Sequence, residues 1–281
     1  MTSGEVLRVL VLAGWLPAAP GKRGRSRTDG LRLPRDLGTV LGFEEEITVP
    51  TADIYGGLNP WDVPAYTLPA AARHVRIPAA TLRSWVCGRP YPVGEETRRS
   101  LPLIKVPNRR PRFLTFTNLV ETHVLASMRR KHELPMRTVR KAIKFVEEEL
   151  DVVHPLATEA FKTNGVDVFV ERYGTLINAS KDGQGEIKAA IEAGLTRINY
   201  EMGIALQLFP LTRADGFNQP KLIVIDPRLA FGRPVLAGSG VPVDEVAQRF
   251  QAGESAAELA GDFRVEEQMV EEAIRASRAA A

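Results

Sequence analysis

The side chains able to do chemistry in this chain are suited to holding anions rather than to catalysis. Arg109, Arg110 and Arg112 crowd a turn bounded by Pro107 and Pro111, and guanidinium groups so placed match phosphate oxygens, to which they donate in a planar fork. Upstream, Arg76 lies in the corner before a short helix that carries Thr81 and Arg83, where they would meet bases or phosphates. The usual catalytic sets do not assemble. The histidines are His74, His123, His132 and His154; His123 and His132 fall too far round one helix to share a metal, and no cysteine pair assists. Cys87, the single cysteine, sits beside Trp85 and Gly88 without a recognisable base, so it reads as packing, and Trp85 reads as core. Gly238-Ser239-Gly240 lacks the Lys-Ser/Thr of a phosphate loop and reads as a turn. Glu44-Glu45-Glu46 and Glu147-Glu148-Glu149 read as solvated faces. No catalytic residue, metal ligand or cofactor is expected.

Those arginines need elements to hold them. Leu68 to His74 predicts a short helix with Pro69 in its first turn, Val75-Arg76-Ile77 a corner, and Pro78 to Trp85 a second helix: a helix-turn-helix packed by Ala72, Ile77, Leu82 and Trp85. Leu103 to Val106 and Arg112 to Phe116 predict two strands of a wing around residues 107–111. A helix capped by Thr117 or Asn118 runs to His132, and another spans Met136 to Leu150. The latter passes from Arg137, Arg140, Lys141 and Lys144 to Glu147, Glu148 and Glu149, an order opposed to the helix macrodipole that implies tertiary contacts or a ligand. Asn164-Gly165, between Ala160-Phe161-Lys162 and Val166 to Val170, predicts a hairpin, with Thr175 to Asn178 as a third strand of a small meander. Ile187 to Ile198 predicts a helix, and Asn199 to Phe209 an extended stretch. Near the C-terminus, Val243, Val246, Ala247 and Phe250 mark a helix ended by Gly253, Ser255 and Glu258 a capping box opening the next, and Glu266 to Arg278 a third.

Charge is divided unevenly. Tyr66 to Leu150 carries 17 basic and 7 acidic residues, whereas Lys221 to Ala281 carries 7 and 10. A cationic block fits a segment that meets phosphates. The expected class is α+β, mainly α, in four parts: an extension over 1–64, partly flexible and holding a possible edge strand at Ile47 to Val49; a MerR-like winged helix-turn-helix over 65–150; a β meander and linker helix over 151–220; and a trihelical, helix-turn-helix-like domain over 221–281. One cysteine excludes an internal disulfide and fits a reducing cytoplasm. No apolar run reaches the roughly 20 residues of a spanning helix, and Val6 to Leu16, interrupted by Arg8 and led by Glu5, reads as non-secretory.

Ile225-Asp226-Pro227, Phe231-Gly232-Arg233-Pro234-Val235, Gly238-Ser239-Gly240-Val241-Pro242, Arg249-Phe250, Ala252-Gly253-Glu254-Ser255 and Leu259-Ala260 together resemble the module called domain of unknown function 433, recurrent in VapB-type antitoxins. The family pattern has Thr at Ser239 and Tyr near Phe263. Tyr66 to Leu150 is similar to the MerR-like winged helix-turn-helix that precedes that module in such antitoxins. The resemblance implies a protein that silences a PIN-domain ribonuclease toxin and represses its own operon by binding double-stranded operator DNA. It also implies Arg228, Arg233 and Arg249 as arginines to occupy the toxin's acidic cleft, with Arg249 alternatively bracing carboxylates of its own domain. A palindromic operator would need a homodimer. The alternative is a stand-alone MerR-like regulator sensing a small molecule through residues 151–220.

Overall fold

The computed structural model describes Tyr55 and residues 57–107, 113–129, 134–213 and 216–278. The extension over residues 1–54, its edge strand at 47–49, the turn carrying Arg109, Arg110 and Arg112, and His132 lie outside the described residues.

The helix-turn-helix forms where its spacing requires. The Thr67 hydroxyl accepts from Ala70 N to open α1, Leu68–Val75, which buries Leu68, Ala71, Ala72 and Val75. Arg76 then takes a left-handed conformation (φ 58°), and Ile77 N donates back to Ala72 O at 3.0 Å, turning the chain into α2, Ala79–Cys87. Leu82, Trp85 and Val86 close the pair, and each such fully buried side chain contributes roughly 1.5–3 kcal/mol.

The wing is not where the sequence placed it. Residues 101–107 form no strand, and Phe113–Leu114 pairs antiparallel with Tyr66–Thr67 at the root of α1. The hairpin instead follows α2 directly: β2, Pro90–Val93, pairs with β3, Glu96–Arg99, β1 and β4 being Tyr66–Thr67 and Phe113–Leu114. Gly94, at the first central position of a two-residue loop, carries the positive φ (62°) this tight turn needs. Pro90 and Pro92 are tolerated because every residue of the hairpin is exposed and neither strand has a second neighbour. Gly88 is required at its base, since a Cβ there would lie 1.9 Å from Ser100 O.

Behind the helix-turn-helix runs α3, Phe116–Arg129, buried along nearly its whole length, with α4, Met136–Leu150, following it. The expected meander is helical. Residues 161–165 make a π-helical turn that continues into α5, Val166–Ile177, and α6, Lys181–Leu195, opens on a Ser180 cap. Phe161, Val166, Phe169, Val170 and Tyr173 are all buried, so packing at helical spacing overrides the local Asn-Gly turn preference. Gly165 serves close approach instead: it has φ −69°, and a Cβ would meet Phe161 Cδ2 at 2.7 Å. Antiparallel strands do occur in this region, later than expected: β5, Ile198–Glu201, turns through Met202-Gly203 into β6, Ile204–Leu208.

Leu208 and Ile225 exchange both backbone hydrogen bonds (3.0 and 2.8 Å), joining this hairpin to the C-terminal module. There β7, Ile223–Val224, pairs with β8, Val235–Leu236. Then come α7, Val243–Gln251, α8, Ala256–Phe263, and α9, Glu267–Arg278. The Ser255–Glu258 capping box is present in both directions. Ile223, Leu236, Val246, Leu259, Val270 and Ala273 form the module's own core, while the larger core runs unbroken from Tyr66 to Ile225 across residues 150 and 151. The class is α+β, mainly α, with small antiparallel sheets. No helix among the described residues is long and apolar enough to cross a membrane.

Candidate nucleic-acid interface

Helix α2 presents Ala79, Ala80 and Arg83 to solvent, with Thr81 and Ser84 half-buried on the flank. Pro78 at its N-cap supplies no capping side chain, and the Thr81 amide donates to Pro78 O at 2.9 Å, which leaves the Ala79 and Ala80 amides at the open end of the helix. The hairpin that springs from its C-terminus adds Arg89, Arg98 and Arg99. Arg98 is paired loosely with Glu96 at 3.4 Å, both side chains largely exposed, and Arg99 donates weakly to the Cys87 and Gly88 carbonyls, each at 3.4 Å. A short helix with a cationic ribbon at its end can enter a major groove while the ribbon lies along phosphates.

Of the residues predicted to face DNA, Thr81 and Arg83 share α2, two residues apart on different sides of the helix, Arg83 exposed and Thr81 half-buried. Arg76 does not join them: its Nη1 donates to Thr212 O at 2.6 Å, turning the side chain toward the segment that enters the C-terminal module. Arg109, Arg110 and Arg112 fall outside the described residues. Arg89, Arg98 and Arg99 were not anticipated, although the Gly94-Glu95 dipeptide between Val93 and Glu96 was a legible hairpin signal.

The three arginines implied for a toxin are all engaged within their own module. Arg228 makes a two-pronged pair with Asp226 (Nε–Oδ1 3.0 Å, Nη2–Oδ2 2.7 Å), its guanidinium 5.9 Å from the Trp61 ring. Burial raises the Asp226 carboxyl, but hydrogen bonds from Arg228 and from Gln207 Nε2 (3.0 Å) outweigh it and hold the group below the usual carboxylate range. Arg233 pairs with Asp244 at 3.1 Å. Arg249 joins Glu254 and Asp262, the latter at 2.7 Å, and lies 5.0 Å from the Phe263 ring.

A second polar cluster fixes the two ends relative to one another. Buried Arg197 donates to the carbonyls of Phe209 (3.0 Å), Gln219 (2.5 Å), Pro210 (3.2 Å) and Pro220 (3.3 Å). The Gln219 carboxamide accepts from Thr212 N and Arg213 N, both at 3.0 Å. From α9, buried Glu272 accepts from Thr212 Oγ1, from Arg275 and from Arg213, the last at 3.0 Å. The linker over 209–220 is therefore bonded on both sides.

The three described histidines sit in structural contacts. His74 meets Tyr66 edge-on at 6.2 Å, and burial pushes it down to about 4. His123 Nε2 lies 3.0 Å from Gly194 O, and His154 Nδ1 lies 3.1 Å from Glu121, whose hydrogen bond raises the imidazole above its ordinary value. Cys87 is half-buried, and among the described residues no three ligating side chains cluster for a metal.

Residues 64–143 match a family model described as "Putative DNA-binding HTH domain", and residues 223–275 one described as "Protein of unknown function (DUF433)". The chain is 29% identical to "Putative antitoxin VapB45" of Mycobacterium tuberculosis over 233 residues, 77% of this chain and 95% of that protein. Its fold is similar to the crystal structure of Rv2018 from Mycobacterium tuberculosis, with a TM-score of 0.56 and 23% identity over 76% of this chain and 99% of that one. These matches fall on the segments that carry the sequence resemblance to VapB-type antitoxins, and they bear it out.

Proposed function

We propose that the protein is a cytoplasmic antitoxin that binds operator DNA through α2 and the β2–β3 hairpin and neutralises a PIN-domain ribonuclease encoded beside it. On this reading it is a binding protein rather than an enzyme, and it represses its own operon as a homodimer. One observation carries the proposal. The segment matching a DNA-binding helix-turn-helix presents a helix with one exposed face, followed at once by an exposed hairpin that adds Arg98 and Arg99 beside Arg89, in a chain similar over most of its length to an antitoxin. The toxin itself is supported by the resemblance alone; periodicity and charge do not name it.

The deciding experiment is co-expression with the neighbouring open reading frame, affinity purification through a tag on this chain, and anisotropy with a fragment of its own promoter. Co-purification of a PIN-type protein whose ribonuclease activity is silent in the complex, together with salt-sensitive promoter binding, is expected. A chain that purifies alone and ignores its promoter sinks the proposal.

A further inference from the structure

Helix α4 carries Arg137, Arg140, Lys141 and Lys144 in its first half and three glutamates at its end, an order the macrodipole disfavours. The acidic end is served, since Lys105 reaches Glu147 and Lys144 pairs with Glu148 at 3.4 Å. Arg137, Arg140 and Lys141 have no ion pair among the described residues. They line one wall of a groove of about 1010 Å³. Residues Ala80, Thr81 and Ser84 of α2, with the hairpin, make the other wall. Arg89, Arg99 and Arg129 bring the lining to six cations, and no carboxylate among the described residues lines it. Two N–H donors in this lining lack an acceptor: the indole Nε1–H of Trp85, a residue 1% exposed, and the Nε–H of Arg140. Buried donors are nearly always paired, and crowded like charges with no counter-charge repel one another. Burial also lowers the Arg140 guanidinium from its ordinary value, with no carboxylate nearby to offset it.

We propose that this groove is a phosphate-binding site, with Trp85 and Arg140 donating to the innermost oxygen and the remaining cations ringing the anion. The same chemistry has two sources. One is the backbone of a DNA strand lying against α2, which rests on the operator reading above; the other is a free phosphorylated ligand, which does not.

Full-length protein with 15N-labelled indoles is titrated separately with inorganic pyrophosphate and with a duplex from its own promoter. Trp85→Phe, which keeps the aromatic bulk and removes the donor, identifies the resonance. A saturable shift of that signal is expected in at least one titration. Response to the duplex alone assigns the site to the DNA backbone, and response to pyrophosphate assigns it to a free phosphate anion. No shift in either overturns the proposal. The combined variant Arg137→Gln, Arg140→Gln, Lys141→Gln is expected to weaken the responding ligand at least tenfold. If that ligand is the duplex, the slope of log K against log salt drops by about 2.7, roughly 0.9 for each phosphate no longer neutralised. A charge-matched variant outside the groove, Lys162→Gln, Lys181→Gln, Lys188→Gln, is expected to bind like the parent; equal loss in both variants also overturns the site, because long-range charge would then suffice. Promoter binding with a Trp85 signal unmoved in both titrations removes the groove and leaves the operator reading standing. A pyrophosphate response without promoter binding does the reverse.

Discussion

The arginines of α2, its hairpin and the start of α4 differ from those of the C-terminal module in what faces them. Arg83, Arg89, Arg99 and Arg137 point to solvent or into a cationic groove with no carboxylate opposite. Arg228, Arg233 and Arg249 each meet an aspartate or glutamate of their own module. The first arrangement keeps the charge for a ligand; the second uses it to hold turns and helix ends. A guanidinium therefore says little about binding until its partners are known. In the C-terminal module Arg228, Arg233 and Arg249 are already satisfied by ion pairs.

The harshest test of this contrast is Arg197, an arginine wholly consumed by structure. Arg197→Met leaves the carbonyls of Phe209, Pro210, Gln219 and Pro220 without this donor, and each buried acceptor left unpaired costs about 1–3 kcal/mol. The urea midpoint is expected to fall accordingly; a midpoint within error of the parent would mean that the linker is not the joint between the two ends. The histidines give the next effect, with opposite signs. His74 takes up its proton near 6.5 when unfolded but only at about 4 when folded, so the unfolded chain binds protons first. Stability is therefore lost as pH falls from 6.5 toward 4, by up to about 3 kcal/mol. His154 is raised by its Glu121 hydrogen bond, so its contribution is present below the unfolded value and disappears as pH climbs through the folded one. Urea midpoints between pH 4 and 7.5 should show a steep acid limb that His74→Phe flattens and His154→Gln leaves in place.

On the ligand side, Arg83→Ala is expected to cost about 1–3 kcal/mol of promoter affinity, with the larger losses at a particular base pair if the side chain reads a base edge. Its melting temperature should match the parent, because nothing in the fold holds the exposed guanidinium. Arg249→Met should give the mirror image, lower stability with promoter affinity intact. If the two variants exchanged these phenotypes, the division drawn above would be wrong.

How much of this was legible in the sequence varied with the range of the forces involved. The C-terminal helices were readable because their signals are local: Gly253 ends one, Ser255 with Glu258 opens the next, and apolar residues recur at helical steps. The helix-turn-helix was readable for the same reason. The wing was misplaced because Pro90 and Pro92 argue against a strand, a rule that relaxes for a two-stranded ribbon exposed on both sides. Asn164-Gly165 misled in the opposite direction, its turn preference losing to the burial of Phe161, Phe169 and Tyr173. Arg76 fits the pattern of a DNA contact, yet its acceptor is 136 residues away, and no local rule anticipates such a bond. The unpartnered donors of Trp85 and Arg140 likewise emerge only when α2 and α4 are brought together.

The smallest effect tests whether the two regions unfold as one. Ser255→Ala removes both the hydroxyl that accepts from Glu258 N and a partner of the Glu258 carboxylate, a change that costs about 1 kcal/mol in typical helix N-caps. The defect sits at the start of α8, among residues of the module's own core and remote in sequence from α2. Were the module an independent lobe, only its own transition would move, and a biphasic melt would separate from the parent's curve. The bonds from Glu272 to Thr212 and Arg213, and those from Arg197 to the far end of the same linker, couple its unfolding to the larger core. A single transition shifted downward as a whole is therefore expected, followed by circular dichroism and by tryptophan fluorescence in parallel, with promoter affinity at low temperature unchanged. Divergence of the two probes would restrict the coupling to the native geometry and leave the C-terminal module thermodynamically separate from the helix-turn-helix and its hairpin.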